Sequence, residues 1–205
     1  LKSGLQKTAA DSMSEVKGGL VVMEPDTGRI LAMVSNPAFD PNEIASLWGD
    51  LSADEENSPL LNRSAQGLYP PGSIFKIITA EAIMENMPDY EDFYFECKGI
   101  ATFGDDQIRC FDSKAHGTVN LHDAIKYSCN TYFASAIMEI GYDKLLISAE
   151  KAMFINIYDF DLEKVSSRFN NSDTLTTSEI IQTSIGQGKT LATPLHMAML
   201  ASAIA

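Results

Sequence analysis

Ser73 and Lys76 stand three residues apart in Tyr69-Pro70-Pro71-Gly72-Ser73-Ile74-Phe75-Lys76, a spacing that can make a nucleophile and its base. Pro70 and Pro71 are expected to hold the chain extended and Gly72 to permit a tight turn. Ser73 then falls in the first turn of a helix running through Ile74, Ile77, Ile78, Ala82 and Ile83. Its hydroxyl lies in the positive end of the helix dipole. Residues three apart share a helix face, so the Lys76 stem comes alongside the Ser73 hydroxyl. The flanking residues are almost all apolar, which desolvates the ammonium, lowers its pKa and lets a neutral amine take the serine proton. The pair by itself is unspecific, because a helical lysine commonly reaches out to solvent.

A second pair supplies what the first lacks. Ser128 and Asn130 sit between two apolar helical stretches, where serine and asparagine serve either as helix caps or as chemistry. As chemistry, the Ser128 hydroxyl can relay a proton between Lys76 and a leaving amine, and the Asn130 amide can bond both the lysine and a substrate carbonyl.

Several elements must position these residues. An amphipathic helix is expected over residues 5–17, with Leu5, Ala9, Met13 and Val16 on one face and a stop at Gly18-Gly19. A hairpin follows, its strands at residues 20–23 and 30–34 and its turn rich in Pro, Asp and Gly; both strands look buried on two faces, so helices should cover the sheet on each side. Residues 36–68 read as a long irregular connection with an acidic, solvated stretch at Asp54-Glu55-Glu56. The nucleophile helix stops at Met87-Pro88, and Cys97 and Cys110 flank a small hairpin over residues 99–109. Their spacing leaves open whether the two cysteines pair in an oxidising compartment.

Helical stretches are expected from residue 118 to the break before Ser128, over 131–140 with Gly141 as the stop, and over 143–154. A polar connection then runs to residue 177, where Thr177 or Ser178 can cap the next helix. Ser184-Ile185-Gly186-Gln187-Gly188 forms a glycine turn, and Thr193-Pro194 caps a last helix, 195–205, whose apolar pattern runs to the final residue.

The 205 residues carry a formal net charge of −13 and are 45% apolar, which fits a globular protein and disfavours nucleic acid and anionic lipid as partners. No apolar run is long enough to span a membrane, and no signal-peptide pattern opens the chain. Three cysteines are too few for a disulfide framework. No C-x-x-C or close His/Cys pair suggests a metal, and His116, His122 and His196 read as structural.

Taken together, Tyr69 to Lys76 and Tyr127-Ser128-Cys129-Asn130-Thr131-Tyr132-Phe133 resemble the transpeptidase domain of class B penicillin-binding proteins. Gly19 to Pro41, Leu61-Asn62-Arg63, His116-Gly117, Gly186-Gln187-Gly188 and Thr193-Pro194-Leu195 are also family-like and in family order. The resemblance implies an α+β, beta-lactamase/transpeptidase-like fold: an antiparallel sheet flanked by helices, with a mostly helical subdomain. Residues 1–205 are then a single partial domain.

It implies D,D-transpeptidation without a cofactor. A serine attacks the D-Ala-D-Ala carbonyl of a peptidoglycan stem peptide, releases D-alanine and passes the acyl group to a neighbouring amine, while beta-lactams trap the acyl-enzyme. In these terms Ser73 is the nucleophile, Lys76 the base, Ser128 the proton shuttle and Asn130 an orienting group. Gly186, Gln187 and Gly188 are implied to touch substrate, and the Ser73 N–H to be one oxyanion donor. The parent is implied to be membrane-anchored on the extracytoplasmic face, with a wall glycosyltransferase as partner.

One departure bears on activity. The family's Lys-Thr-Gly motif, on an inner strand, should follow the last helix; Lys189-Thr190-Leu191 lacks the glycine and the strand context. The C-terminal strands are therefore expected beyond Ala205, and these 205 residues alone are expected to be poorly active. A serine beta-lactamase or a non-catalytic beta-lactam sensor of the same fold is the alternative. No Glu-x-x-Leu-Asn segment follows the second motif to activate water, and Asn130 stands where a sensor or class D enzyme carries an apolar residue.

Overall fold

The computed structural model describes residues 1–156, 158–172 and 174–205. In chain order its elements are α1 (Ser3–Ser12), β1 (Gly18–Met23), β2 (Ile30–Asn36), α2 (Ile44–Ala53), α3 (Arg63–Gln66) and α4 (Lys76–Asn86). Next come β3 (Phe95–Cys97), β4 (Ile100–Phe103), β5 (Asp106–Arg109), β6 (Gly117–Val119), α5 (Leu121–Lys126) and α6 (Asn130–Ile140). The last three are α7 (Tyr142–Lys151), α8 (Thr177–Thr183) and α9 (Pro194–Ile204). They divide into two compact units, each assembled from separated stretches of chain: residues 1–69, 158–167 and 192–205 in one, and 70–157 and 168–191 in the other.

The first unit is built on the expected hairpin. β1 and β2 pair antiparallel with Leu20 opposite Val34 and an irregularity between Val22 and Met23. Alternation along the strands sends Leu20, Val22, Ala32 and Val34 to one face, where they pack with Leu5, Ala9 and Met13 of the α1 segment. On the same ribbon Met23 Sδ accepts a hydrogen bond from Ser202 of α9 at 3.3 Å, so helices do cover both faces. The α1 helix ends at Ser12 rather than running to residue 17. The glycine pair serves the strand instead of a helix cap: a Cβ on Gly19 would lie 2.7 Å from the Ser64 backbone nitrogen.

Residues 36–68 are more ordered than their composition suggests, since they contain α2 and α3. Arg63, only 4% exposed, donates to the carbonyls of Asn57 and Ser58. This ties the acidic loop to the start of α3, where Ser64 Oγ donates to Val34 O at 2.5 Å. Thr193 caps α9 by accepting from the His196 N–H at 3.1 Å, as the Thr-Pro signature predicts. His196 is buried, with Nδ1 2.6 Å from Ser167 Oγ.

The second unit packs α4, α6 and α7 around Phe75, Ile83, Phe133, Ile137, Leu145 and Phe154, all 1% exposed or less. Phe75 meets Phe154 edge-on at 5.3 Å and stacks on Phe169 at 5.8 Å. Fully burying a side chain of this size contributes about 1.5–3 kcal/mol. β4 and β5 form the expected hairpin, and β3 pairs separately with β6. The cap of α8 is Thr176, in a reciprocal capping box with Glu179, rather than Thr177 or Ser178. Among the described residues no helix is long and apolar enough to cross a membrane.

Candidate active site

Ser73 enters the second unit on a 3-10 turn, Gly72–Phe75, that runs directly into α4. Pro71 is not extended as expected but already near-helical, at φ −67° and ψ −25°. The reversal falls on Gly72 alone, at φ +57°. Gly72 N–H donates to Gly186 O at 2.9 Å, and a Cβ on Gly186 would stand 2.4 Å from Gly72 O and 2.5 Å from Phe75 Cβ. The Gly186-Gln187-Gly188 turn thus lies backbone to backbone against the turn that carries Ser73. Thr79 of α4 donates to Ser184 O at 2.8 Å and fixes the approach of that segment.

Lys76, the first residue of α4, is 3% exposed. Its outward neighbours Ile74 and Ile77 are 54% and 46% exposed, so the helix turns its apolar residues to the surface here and its cation inward. Nζ lies 2.5 Å from Asn130 Oδ1, 2.8 Å from Ser128 O, 2.9 Å from Ser128 Oγ and 3.3 Å from Ser73 Oγ. Burial pushes the Lys76 ammonium down to about 8 against the opposing pull of Cys110 and Cys129. Ser128 Oγ donates to Ser73 Oγ at 2.8 Å.

Ser128 holds a left-handed backbone, φ +52°, which a side chain with a Cβ adopts at a cost of about 1–3 kcal/mol. Its N–H donates to Ile125 O at 3.1 Å, and the Cys129 N–H to Ala124 O at 2.8 Å, closing the turn between α5 and α6. Asn130 opens α6, and its Nδ2 donates to Arg109 O at the end of β5 at 2.7 Å. With one end of the amide held as a donor, the other must face Lys76 as an acceptor. All four residues expected to act together are therefore in one hydrogen-bonded group. The direct Lys76 to Ser73 distance is the longest in it, and the path through the Ser128 hydroxyl is made of two shorter steps. A neutral Lys76 can draw the Ser73 proton along that path.

Lys189 lies apart from this group, paired at the surface with Glu179 at 2.7 Å. His122 is exposed.

Two features escaped the sequence reading. Arg109 contributes a carbonyl, which no side-chain pattern announces. Cys97, Cys110, Cys129 and His116 converge, with their donor atoms all within 4.8 Å of one another, a spacing one metal ion can bridge. The cysteines are free thiols, and His116, read from the sequence as structural, lies with Nδ1 3.4 Å from Cys97 Sγ. The four positions come from separate elements, so no short ligand spacing exists to be seen.

A family model described as the penicillin binding protein transpeptidase domain matches residues 18–205. The chain is 33% identical to the peptidoglycan D,D-transpeptidase MrdA of Acinetobacter baumannii, over 97% of this chain and 32% of that protein. It is 32% identical to the peptidoglycan D,D-transpeptidase PbpA of Mycolicibacterium smegmatis, over 100% of this chain and 45% of that protein. The chain thus spans less than half the length of these curated relatives.

Among solved structures, the D,D-transpeptidase domain of a peptidoglycan glycosyltransferase from Eggerthella lenta superposes with a TM-score of 0.91 at 33% identity, covering 100% of this chain and 52% of that one. Penicillin-binding protein A from M. tuberculosis, solved as a ceftriaxone acyl-enzyme complex, gives 0.87 at 30% identity, covering 99% and 49%. By fold and by sequence, the chain belongs to the penicillin-binding protein transpeptidase domain family.

Proposed function

We propose that this chain carries the acylating half of a D,D-transpeptidase that cross-links peptidoglycan stem peptides and is covalently inhibited by beta-lactams. The observation that carries the reading is the continuous path from Lys76 Nζ through Ser128 Oγ to Ser73 Oγ, at 2.9 and 2.8 Å. Ser73 Oγ attacks the carbonyl carbon of the penultimate D-alanine, and its proton passes through Ser128 to Lys76. When the tetrahedral intermediate collapses, the amine of the departing D-alanine takes a proton back along the same path. A neighbouring stem's amine then attacks the acyl-enzyme and restores Ser73.

Asn130, held by Arg109 O, keeps its amide against Lys76 and offers the substrate backbone a partner. The Ser73 N–H, at the mouth of the turn, donates to the oxyanion. Gly186, Gln187 and Gly188 form the wall beside Gly72 along which the substrate lies. A beta-lactam follows the same first step but leaves no amine to depart, and the adduct persists. The relatives' D,D-transpeptidase names and the ceftriaxone adduct of the M. tuberculosis protein support the reading. We place the reaction on the extracytoplasmic face of the cell membrane, where a wall glycosyltransferase supplies the glycan strands.

The test is to incubate the protein at its natural length with a fluorescent penicillin and follow the label. A long-lived adduct, absent in Ser73→Ala, is the expected outcome. Rapid loss of label means a beta-lactamase, and the absence of any adduct sinks both enzymatic readings.

A further inference from the structure

α2 (Ile44–Ala53) is a helix that its own sequence does little to hold. Its 10 residues include Gly49 and the serines Ser46 and Ser52, no side chain caps its first turn, and none of its residues is buried. A helix of this length is marginal in water unless an apolar face is covered. The face exists: Ile44, Leu47, Trp48 and Leu51 follow the i, i+3, i+4, i+7 spacing of a single stripe. Leu47 is 37% exposed, and Trp48, the one tryptophan of the 205 residues, is 56% exposed. A lone exposed apolar side chain is ordinary, whereas a full stripe on a helix with no buried residue marks a contact surface.

The charge around the stripe selects what fits it. Residues 36–62 carry six acids, Asp40, Glu43, Asp50, Asp54, Glu55 and Glu56, and no lysine, arginine or histidine. Two of them serve local turns: Asp40 Oδ1 accepts from the Asn42 N–H at 2.8 Å and Asp54 Oδ1 from the Asn57 N–H at 2.9 Å. Among the described residues no cation forms a salt bridge with any of the six. Lys17 reaches the Glu56 carbonyl rather than a carboxylate. Asp50 lies in the last turn of α2, Asp54 at its C-cap, and Glu55 and Glu56 just beyond, with no basic residue in that turn. The negative end of the helix dipole repels them all, and a helix stabilised by its own charges carries cations there. Glu43, Leu47 and Asp50 follow i, i+4, i+7, so two carboxylates line the Leu47 edge of the stripe.

We propose that α2 docks a basic amphipathic helix of a partner protein. Leu47 and Trp48 pack against that helix's apolar residues, and its lysines or arginines lie beside Glu43, Asp50 and the acids that follow the C-cap. The partner then supplies both things the α2 sequence lacks: cover for the stripe and positive charge at the helix C-terminus. An anionic lipid surface is repelled by the same carboxylates. A second copy of this chain, meeting α2 with its own α2, sets like charges against each other. The proposal does not depend on Ser73 being the nucleophile.

The test prepares the protein at natural length with fluorotryptophan and identifies the Trp48 fluorine resonance by its loss in Trp48→Phe. The probe is a synthetic helix with leucine at the heptad core positions and lysine at the others. A scrambled peptide of the same composition and a peptide with glutamate in place of lysine serve as comparisons. The expected result is a saturable shift of the Trp48 resonance by the lysine helix, with a Kd about tenfold or more below that of the scrambled peptide and rising with salt. Glu43→Lys combined with Asp50→Lys should weaken the lysine helix about tenfold or more and admit the glutamate helix instead. A Trp48 resonance unmoved by the lysine helix overturns the proposal, whether or not the variant folds. An equal response to the scrambled peptide is charge attraction alone and also overturns it. A shift produced by raising the protein concentration, or by phosphatidylglycerol vesicles, replaces the partner helix with a second copy or a lipid surface. Trp48 already shielded from a soluble paramagnetic probe in the free protein assigns the stripe to the chain's own further residues, and the proposal falls.

Discussion

Arg63 and Lys76 are both cations withdrawn from water, at 4% and 3% exposure, yet their surroundings make them opposite kinds of residue. Arg63 spends its guanidinium on two backbone carbonyls, those of Asn57 and Ser58. A carbonyl can accept but never give up a proton, and a guanidinium stays charged, so the contact can only hold a loop. Lys76 faces two hydroxyls, an amide and one carbonyl. Its ammonium is pushed down toward neutrality, and hydroxyls pass protons on. Burying a charge therefore does not by itself mark a reactive site. What marks it is whether the partners can exchange protons with it.

Substitutions can break this contrast. Lys76→Arg keeps the positive charge but removes a group that can become neutral. Penicillin labelling of Ser73 is expected to fall by about a thousandfold while the fold survives, in line with the loss of a positioned base. Labelling within tenfold of the unmutated rate sinks the role of Lys76. Ser128→Ala removes the hydroxyl relay and leaves only the direct 3.3 Å route from Ser73 to Lys76, and the expected loss is about a hundredfold in the same assay.

Arg63→Ala should do the reverse, costing about 2 kcal/mol of stability in urea denaturation and leaving labelling intact well below the melting temperature. A labelling defect at full folding overturns its assignment as a staple.

The smallest effect sharpens the comparison through pH. Acylation needs neutral Lys76, so its rate should rise about tenfold from pH 7 to pH 9 and flatten above the amine's value of about 8. The sign for stability agrees. Because the folded pKa lies below the unfolded one, the unfolded chain binds the extra proton between pH 8 and 10.5, and stability rises with pH across that window. A rate that stays flat with chemistry limiting removes lysine as the base.

The grouping of Ser73, Lys76, Ser128 and Asn130 was legible in the sequence because local backbone chemistry marks it. Gly72 breaks the chain before Ser73, and the helix break at Ser128 exposes the second pair. The hairpin at β1 and β2 and the capped start of α9 declare themselves in the same way, through turn residues and a Thr-Pro cap. What stayed hidden depends on distant parts of the chain meeting. α2 lies in a stretch whose prolines and acids suggest a loop, and its helix shows no buried residue. Gly19 belongs to β1 because it lies against the Ser64 backbone, a contact no local pattern contains. The thiol and imidazole cluster is the extreme case, since its four side chains come from separate stretches of chain and meet only in the fold.

The Gly186 contact with Gly72 bears on how such a chain can evolve under an acylating inhibitor. No side chain fits at Gly186 without driving into the turn behind Ser73, so substitution there displaces that turn outright and cannot retune the nucleophile by small degrees. Graded change has to come from side chains with room around them, and Ile74 and Tyr127, 54% and 46% exposed, adjoin Ser73 and Ser128 in sequence. Drift in inhibitor susceptibility is thus channelled to the rim of the site, while the backbone pair beneath it stays fixed.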